Sequence, residues 1–175
     1  LNSLDGSALL DGDDTGVLAV VANRGKIPEV LLLRALEGIF ALFEQIHSLP
    51  TGGGVIWNDV KPEHLFWDPS AQRFTVIDWG NGQFLEADGI SRDRMFSPRE
   101  DYRQLVDEMG RFLRQTDPSL AQRLQWPEKI TPEEADIETL APLRVRVQKA
   151  LEAASQTLET LRARENELLN HSGVD

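Results

Sequence analysis

The run Pro50-Thr51-Gly52-Gly53-Gly54 is the feature that most narrows what this chain can fold into. A proline lacks the N–H a helix needs, and consecutive glycines lose the most backbone freedom on ordering, so any helix before them must stop. On the upstream side, Leu32, Leu36, Ile39, Phe40, Phe43 and Ile46 recur at three- and four-residue steps, and Pro28-Glu29 is tolerated in a first turn. This predicts a largely buried helix from Pro28 to about Ser48. On the downstream side, Val55-Ile56-Trp57 reads as a short strand. Leu65-Phe66-Trp67 and Phe74 to Ile77, separated by Asp68-Pro69-Ser70-Ala71, read as a β-hairpin. The loops before Leu65 and after Ile77 leave that hairpin at the same end, which brings Asp59 and Asp78 together.

The flanks are plainer. Leu1 to Asp14 reads as a loop, and Thr15 caps a short helix over Val17 to Ala22, with a strand as the alternative because of its β-branched residues. From Asn81 to Pro98 the chain is polar and irregular. A helix is expected from about Arg99, with Tyr102, Leu105, Val106, Met109, Phe112 and Leu113 on one face, and a brief one over Leu120 to Leu124. Thr131-Pro132-Glu133-Glu134 carries a capping hydroxyl, a first-turn proline and two acids, which predicts a helix start. Pro142 is expected to break or restart that helix. Beyond it Leu143, Val147, Ala150, Leu151, Ala154, Leu158, Leu161 and Leu168 keep one apolar stripe. A coiled-coil extension with a helical protein partner is the alternative use of the stripe, although Glu165 interrupts the seam. Trp57, Trp67 and Trp79 read as core aromatics, and His47 and His171 have no identifiable partner.

The resulting expectation is an α+β, predominantly α-helical single domain over residues 1–170 with one small hairpin, closing helices at 131–169 and a disordered tail at 171–175. With 175 residues, 41% of them hydrophobic, a real core can be filled. A formal net charge of −11 opposes nucleic acid and anionic lipid surfaces. The absence of cysteine excludes disulfides and thiolate metal sites and fits a reducing, cytoplasmic setting. No apolar run is long enough to cross a bilayer as a helix. Because the chain begins with Leu1, it reads as a piece of something longer.

The stretch Asp59-Val60-Lys61-Pro62-Glu63-His64, followed by a hairpin and Asp78-Trp79-Gly80, resembles the catalytic and metal-binding loops of the protein-kinase-like superfamily. The resemblance covers residues 28–113 well and the remainder loosely, and implies a kinase-like C-terminal lobe. What it implies for chemistry is phosphoryl transfer from ATP, with Mg²⁺, to a hydroxyl on a protein or a small molecule. Asp59 would be the catalytic base and Lys61 would offset charge on the moving phosphoryl group. Asp78, with His64, would hold the metal, so Lys61, His64 and Asp78 together face the cofactor. Asp101 would accept backbone N–H bonds from the catalytic loop and keep it rigid.

Departures from the family pattern open a competing reading. Trp57-Asn58 replaces the usual His-Arg, His64 stands where an Asn ligand is expected, and Trp79 replaces Phe as an apolar plug. The span from Asp78 to Asp101 leaves room for only a short activation segment, which favours a small or atypical acceptor, whereas Lys61 favours the protein-kinase branch. Nothing before Asp59 resembles a glycine-rich phosphate loop or the strand lysine that anchors ATP. The resemblance therefore implies an N-lobe outside this chain, without which the isolated chain is inactive; the competing reading is a pseudokinase or truncated kinase lobe acting as a protein-binding module.

Overall fold

The computed structural model describes residues 27–49, 52–68, 73–92 and 94–171. The readings over Leu1 to Asp14, Val17 to Ala22 and the hairpin turn at 69–72 lie outside them, as does the tail from 172. The architecture is α+β and predominantly helical. Helix α1 (Glu29–Ile46) is followed by β1 (Gly54–Ile56), a 3-10 turn (Pro62–His64), β2 (Leu65–Asp68), β3 (Arg73–Val76) and β4 (Gln83–Leu85). Then come α2 (Pro98–Gln104), a π turn over Leu105–Met109, α3 (Gly110–Thr116), α4 (Pro118–Arg123) and α5 (Ile137–His171).

Helix α1 is the centre of the molecule because its apolar residues face more than one neighbour. Leu32, Leu36, Ile39, Phe40 and Phe43 are all buried, and so are Leu31, Leu33 and Ala35 between them. They share one core with Trp57, Val60, Leu65 and Trp67 of the central stretch, with Tyr102, Leu105, Val106 and Leu113 of α2 to α3, and with Leu140, Leu143 and Val147 of α5. Fully burying one such side chain is worth about 1.5–3 kcal/mol, so the core rather than local propensity fixes these elements. Arg144 fastens α5 to α1 by reaching Glu37 at 3.0 Å and Glu44 at 2.8 Å.

The glycine run makes a close approach as well as a stop. A Cβ at Gly54 would lie 2.4 Å from the His47 carbonyl oxygen, and one at Gly53 would overlap the Leu85 carbonyl. Only glycine lets β1 start this near to both the end of α1 and β4.

Four expectations change. The chain has two two-stranded sheets rather than one hairpin: β2 pairs with β3 as read, and β4, inside the stretch expected to be irregular, pairs antiparallel with β1. Thr131 to Glu134 is a turn, and α5 starts at Ile137. The cap is Asp136, whose Oδ1 accepts the Thr139 N–H at 2.8 Å, so the local start signal loses to a better-placed carboxylate six residues before Pro142. Pro142 lies inside α5 without ending it. Its ring is exposed, one intrahelical hydrogen bond is lost, and buried Leu140, Leu143 and Val147 on either side hold the helix through it. Finally, Trp79 is 41% exposed rather than a core plug.

Candidate functional site

The site is built from two loops that the sheets deliver to one face. The first, residues 57–61, leaves β1 and is held from beneath by α2. The carboxylate of Asp101, fully buried in the first turn of α2, accepts the N–H of Trp57 at 2.9 Å and of Asn58 at 2.7 Å. His47 Nε2, at the end of α1, donates to the same carboxylate at 2.8 Å. One turn along α2, Gln104 accepts the Val60 N–H at 2.9 Å and donates to the Asn58 side chain at 3.2 Å. These bonds hold Asn58 in the left-handed region, at φ 56°, a conformation a short polar side chain tolerates better than most.

The second loop follows β3. Asp78 is also left-handed, at φ 59°, and its Oδ1 accepts the Gly80 N–H at 3.3 Å. Trp57, fully buried, donates its Nε1–H to the Asp78 carbonyl at 3.1 Å and so ties the two loops together.

Between the loops stand Asp59, Lys61, His64 and Asp78. Lys61 Nζ lies 2.6 Å from Asp59 Oδ1, and Asn81 Nδ2 donates to Asp59 Oδ2 at 3.1 Å. His64 Nδ1 lies 2.9 Å from the Asp59 backbone carbonyl. A carbonyl only accepts, so Nδ1 carries the hydrogen and a neutral ring presents its lone pair at Nε2. That nitrogen faces Asp78, 3.6 Å from Oδ2. Asp59, His64 and Asp78 can each offer a donor atom such that all three lie within 4.8 Å of one another. The Asp59 and His64 side chains are largely buried, whereas Asp78 is 58% and Lys61 46% exposed, so the site opens to solvent on the Asp78 side.

The electrostatics follow the geometry. Burial pushes the Asp59 carboxyl up, but the Lys61 hydrogen bond and charge, the Asn81 amide and, whenever its ring is protonated, His64 outweigh it and hold the carboxyl below its ordinary value. The bond to Asp59 in turn raises Lys61 against its own desolvation. Asp59 is therefore an ionised acceptor, with one oxygen facing Lys61 and the other receiving the Asn81 amide.

All five residues singled out from the sequence meet here or directly beneath. Three contributors were not singled out. Gln104 lies three positions after Asp101, a helical spacing that puts both on one face and was open to view. Asn81 follows Asp78 by three positions in a turn. His47 has no local signal, because its contact bridges 54 positions. No family model, curated protein or solved structure matches this chain.

Proposed function

We propose that this chain is the catalytic C-lobe of a protein-kinase-like phosphotransferase that moves the γ-phosphoryl group of ATP to a hydroxyl on a protein or small molecule. Its setting is the cytoplasm, its partners include neither nucleic acid nor membrane, and the other half of the ATP cleft comes from outside this chain. The observation that carries the reading is convergence: Asp59, His64 and Asp78 offer donor atoms within 4.8 Å of one another, with the Asp59 loop hung from the buried Asp101 carboxylate and the Asp78 loop tied to it through Trp57.

In this reading Asp59 aligns the acceptor hydroxyl and takes its proton as the new O–P bond forms and the bond between the γ-phosphorus and the β–γ bridging oxygen breaks, releasing ADP. Lys61, already 2.6 Å from Asp59, sets a positive charge beside the transferring group. Asp101 keeps the loop in place so that little is left to reorganise. When bound, ATP would supply the phosphoryl group, and a divalent cation, which Asp78 and His64 would hold, would supply charge neutralisation on the phosphates.

The test is transfer of label from γ-labelled ATP by the chain joined to its ATP-binding half, beside the Asp59→Asn variant. A loss on the order of a thousandfold is expected, as for removal of a group acting directly in the transition state. Equal turnover would remove Asp59 from the mechanism.

A second reading, a pseudokinase lobe that binds another protein through a helix, draws on α5. From Glu159 onward every described side chain of α5 is exposed. Stable capture of a partner without any binding of metal-bound ATP would favour it over the enzyme.

A further inference from the structure

The donor set does not suit the cation that phosphoryl transfer most often uses. Two carboxylates are hard oxygen ligands and fit Mg²⁺, but an imidazole nitrogen does not, because Mg²⁺ favours oxygen and surrenders its water reluctantly. Imidazole nitrogen beside carboxylate is the company kept by first-row transition cations.

Two histidine–aspartate pairs in this one molecule make the point. His47 and Asp101 close to 2.8 Å, an ordinary charge-assisted hydrogen bond. His64 Nε2 and Asp78 Oδ2 stop at 3.6 Å, beyond hydrogen-bond range. The ring is not free to choose otherwise, since its Nδ1–H is committed to the Asp59 carbonyl, the kind of backing bond that orients metal-binding imidazoles. Two donors sharing a cation at about 2.0–2.2 Å each stand roughly 3 Å apart. The gap is thus wide for a proton and slightly wide for an ion.

We infer that this site prefers a first-row transition divalent cation over Mg²⁺, Mn²⁺ being the paramagnetic member used to read it, with His64 Nε2 and Asp78 as direct ligands and Asp59 beside them. The inference rests on the functional reading above for the role of the site, though cation binding itself needs neither ATP nor an acceptor. His64 in place of an oxygen donor is then a selectivity element.

The experiment uses the whole 175-residue chain without nucleotide. Mn²⁺ binding is followed by electron paramagnetic resonance, Mg²⁺ is added as competitor, and pulsed measurements look for modulation from a coordinated nitrogen. The wild type should show that modulation, and His64→Asn should lose it. The preference for Mn²⁺ over Mg²⁺ should fall on the order of tenfold in the variant, with an unchanged circular dichroism spectrum. No Mn²⁺ binding, binding without nitrogen modulation, or an unchanged preference would each overturn the inference. If His64→Asn does not fold, wild-type modulation together with loss of binding in Asp78→Asn decides the matter. Mn²⁺ held by His64 in a protein that never transfers phosphate would leave this inference standing and remove the enzyme. Transfer supported equally by both cations, with no nitrogen ligand, would do the reverse.

Discussion

His47 and Asp101 are 54 positions apart in the chain and 2.8 Å apart in space, so the last turn of α1 and the first turn of α2 clamp the loop that carries Asp59. The Asp101 carboxylate receives three N–H groups, two of them from that loop's backbone. A buried anion is tolerated here because every bond it makes is with a donor.

Asp101→Asn puts an NH₂ group where one of those donors points. The expected cost is about 3 kcal/mol, the range for breaking a buried, charge-assisted network. Urea denaturation measures it, and hydrogen exchange at the Trp57 and Asn58 amides should accelerate. Unchanged exchange at both would show that the loop is held by something else.

Asp59 governs a pH dependence. Its carboxyl is lowered from an ordinary 3.8, so its contribution to stability is in full force above that value and is lost as pH falls through the lower, folded-state value. The stability difference between the wild type and Asp59→Asn should therefore be flat above about pH 5 and shrink toward acid. Lys61→Met removes the strongest opposing hydrogen bond while burial remains, so the Asp59 titration followed by NMR should move upward. A downward move would contradict the assigned cause.

Arg144 is only 17% exposed, reaches two glutamates of α1 and lies over the Phe40 ring. Arg144→Met keeps much of the apolar stem and leaves both carboxylates without their partner. A loss of about 2 kcal/mol is expected, or about 4–8 °C in Tm for a chain of this size. A calorimetric scan decides it.

Deletion of residues 160–175 removes helix whose described side chains are exposed. Stability should change by less than about 0.5 kcal/mol, measured by thermal melting of the shortened chain. A large drop would mean that the end of α5 packs on the body.

Much of this was open to view in the sequence, and what was not has a physical explanation. The 3.6-residue period of α1 and the alternation around the hairpin are local signals, and both elements form close to where they were read. That two loops leaving one hairpin end would bring Asp59 and Asp78 near each other also followed from connectivity. The β1–β4 ladder did not, because Gln83-Phe84-Leu85 is too short to show a period and Phe84 is 81% exposed. The Thr131 start signal misled because capping chemistry is a competition among neighbours, and Asp136 wins it. His47 was invisible for the same reason that it matters: its partner is set by packing, not by spacing.

The β1–β4 register has a consequence for how such a protein can change over time. Ile56 pairs with Gln83, three positions before Asp59 and five after Asp78, so the ladder acts as a ruler between the two arms of the site. A slip of one residue displaces a strand by about 3.3 Å, nearly the whole 3.6 Å between His64 and Asp78. Swapping side chains along this ladder leaves the measure intact. Inserting or deleting one residue between Asp78 and Gln83 changes it, and lineages that keep the chemistry should vary in letters there but not in length.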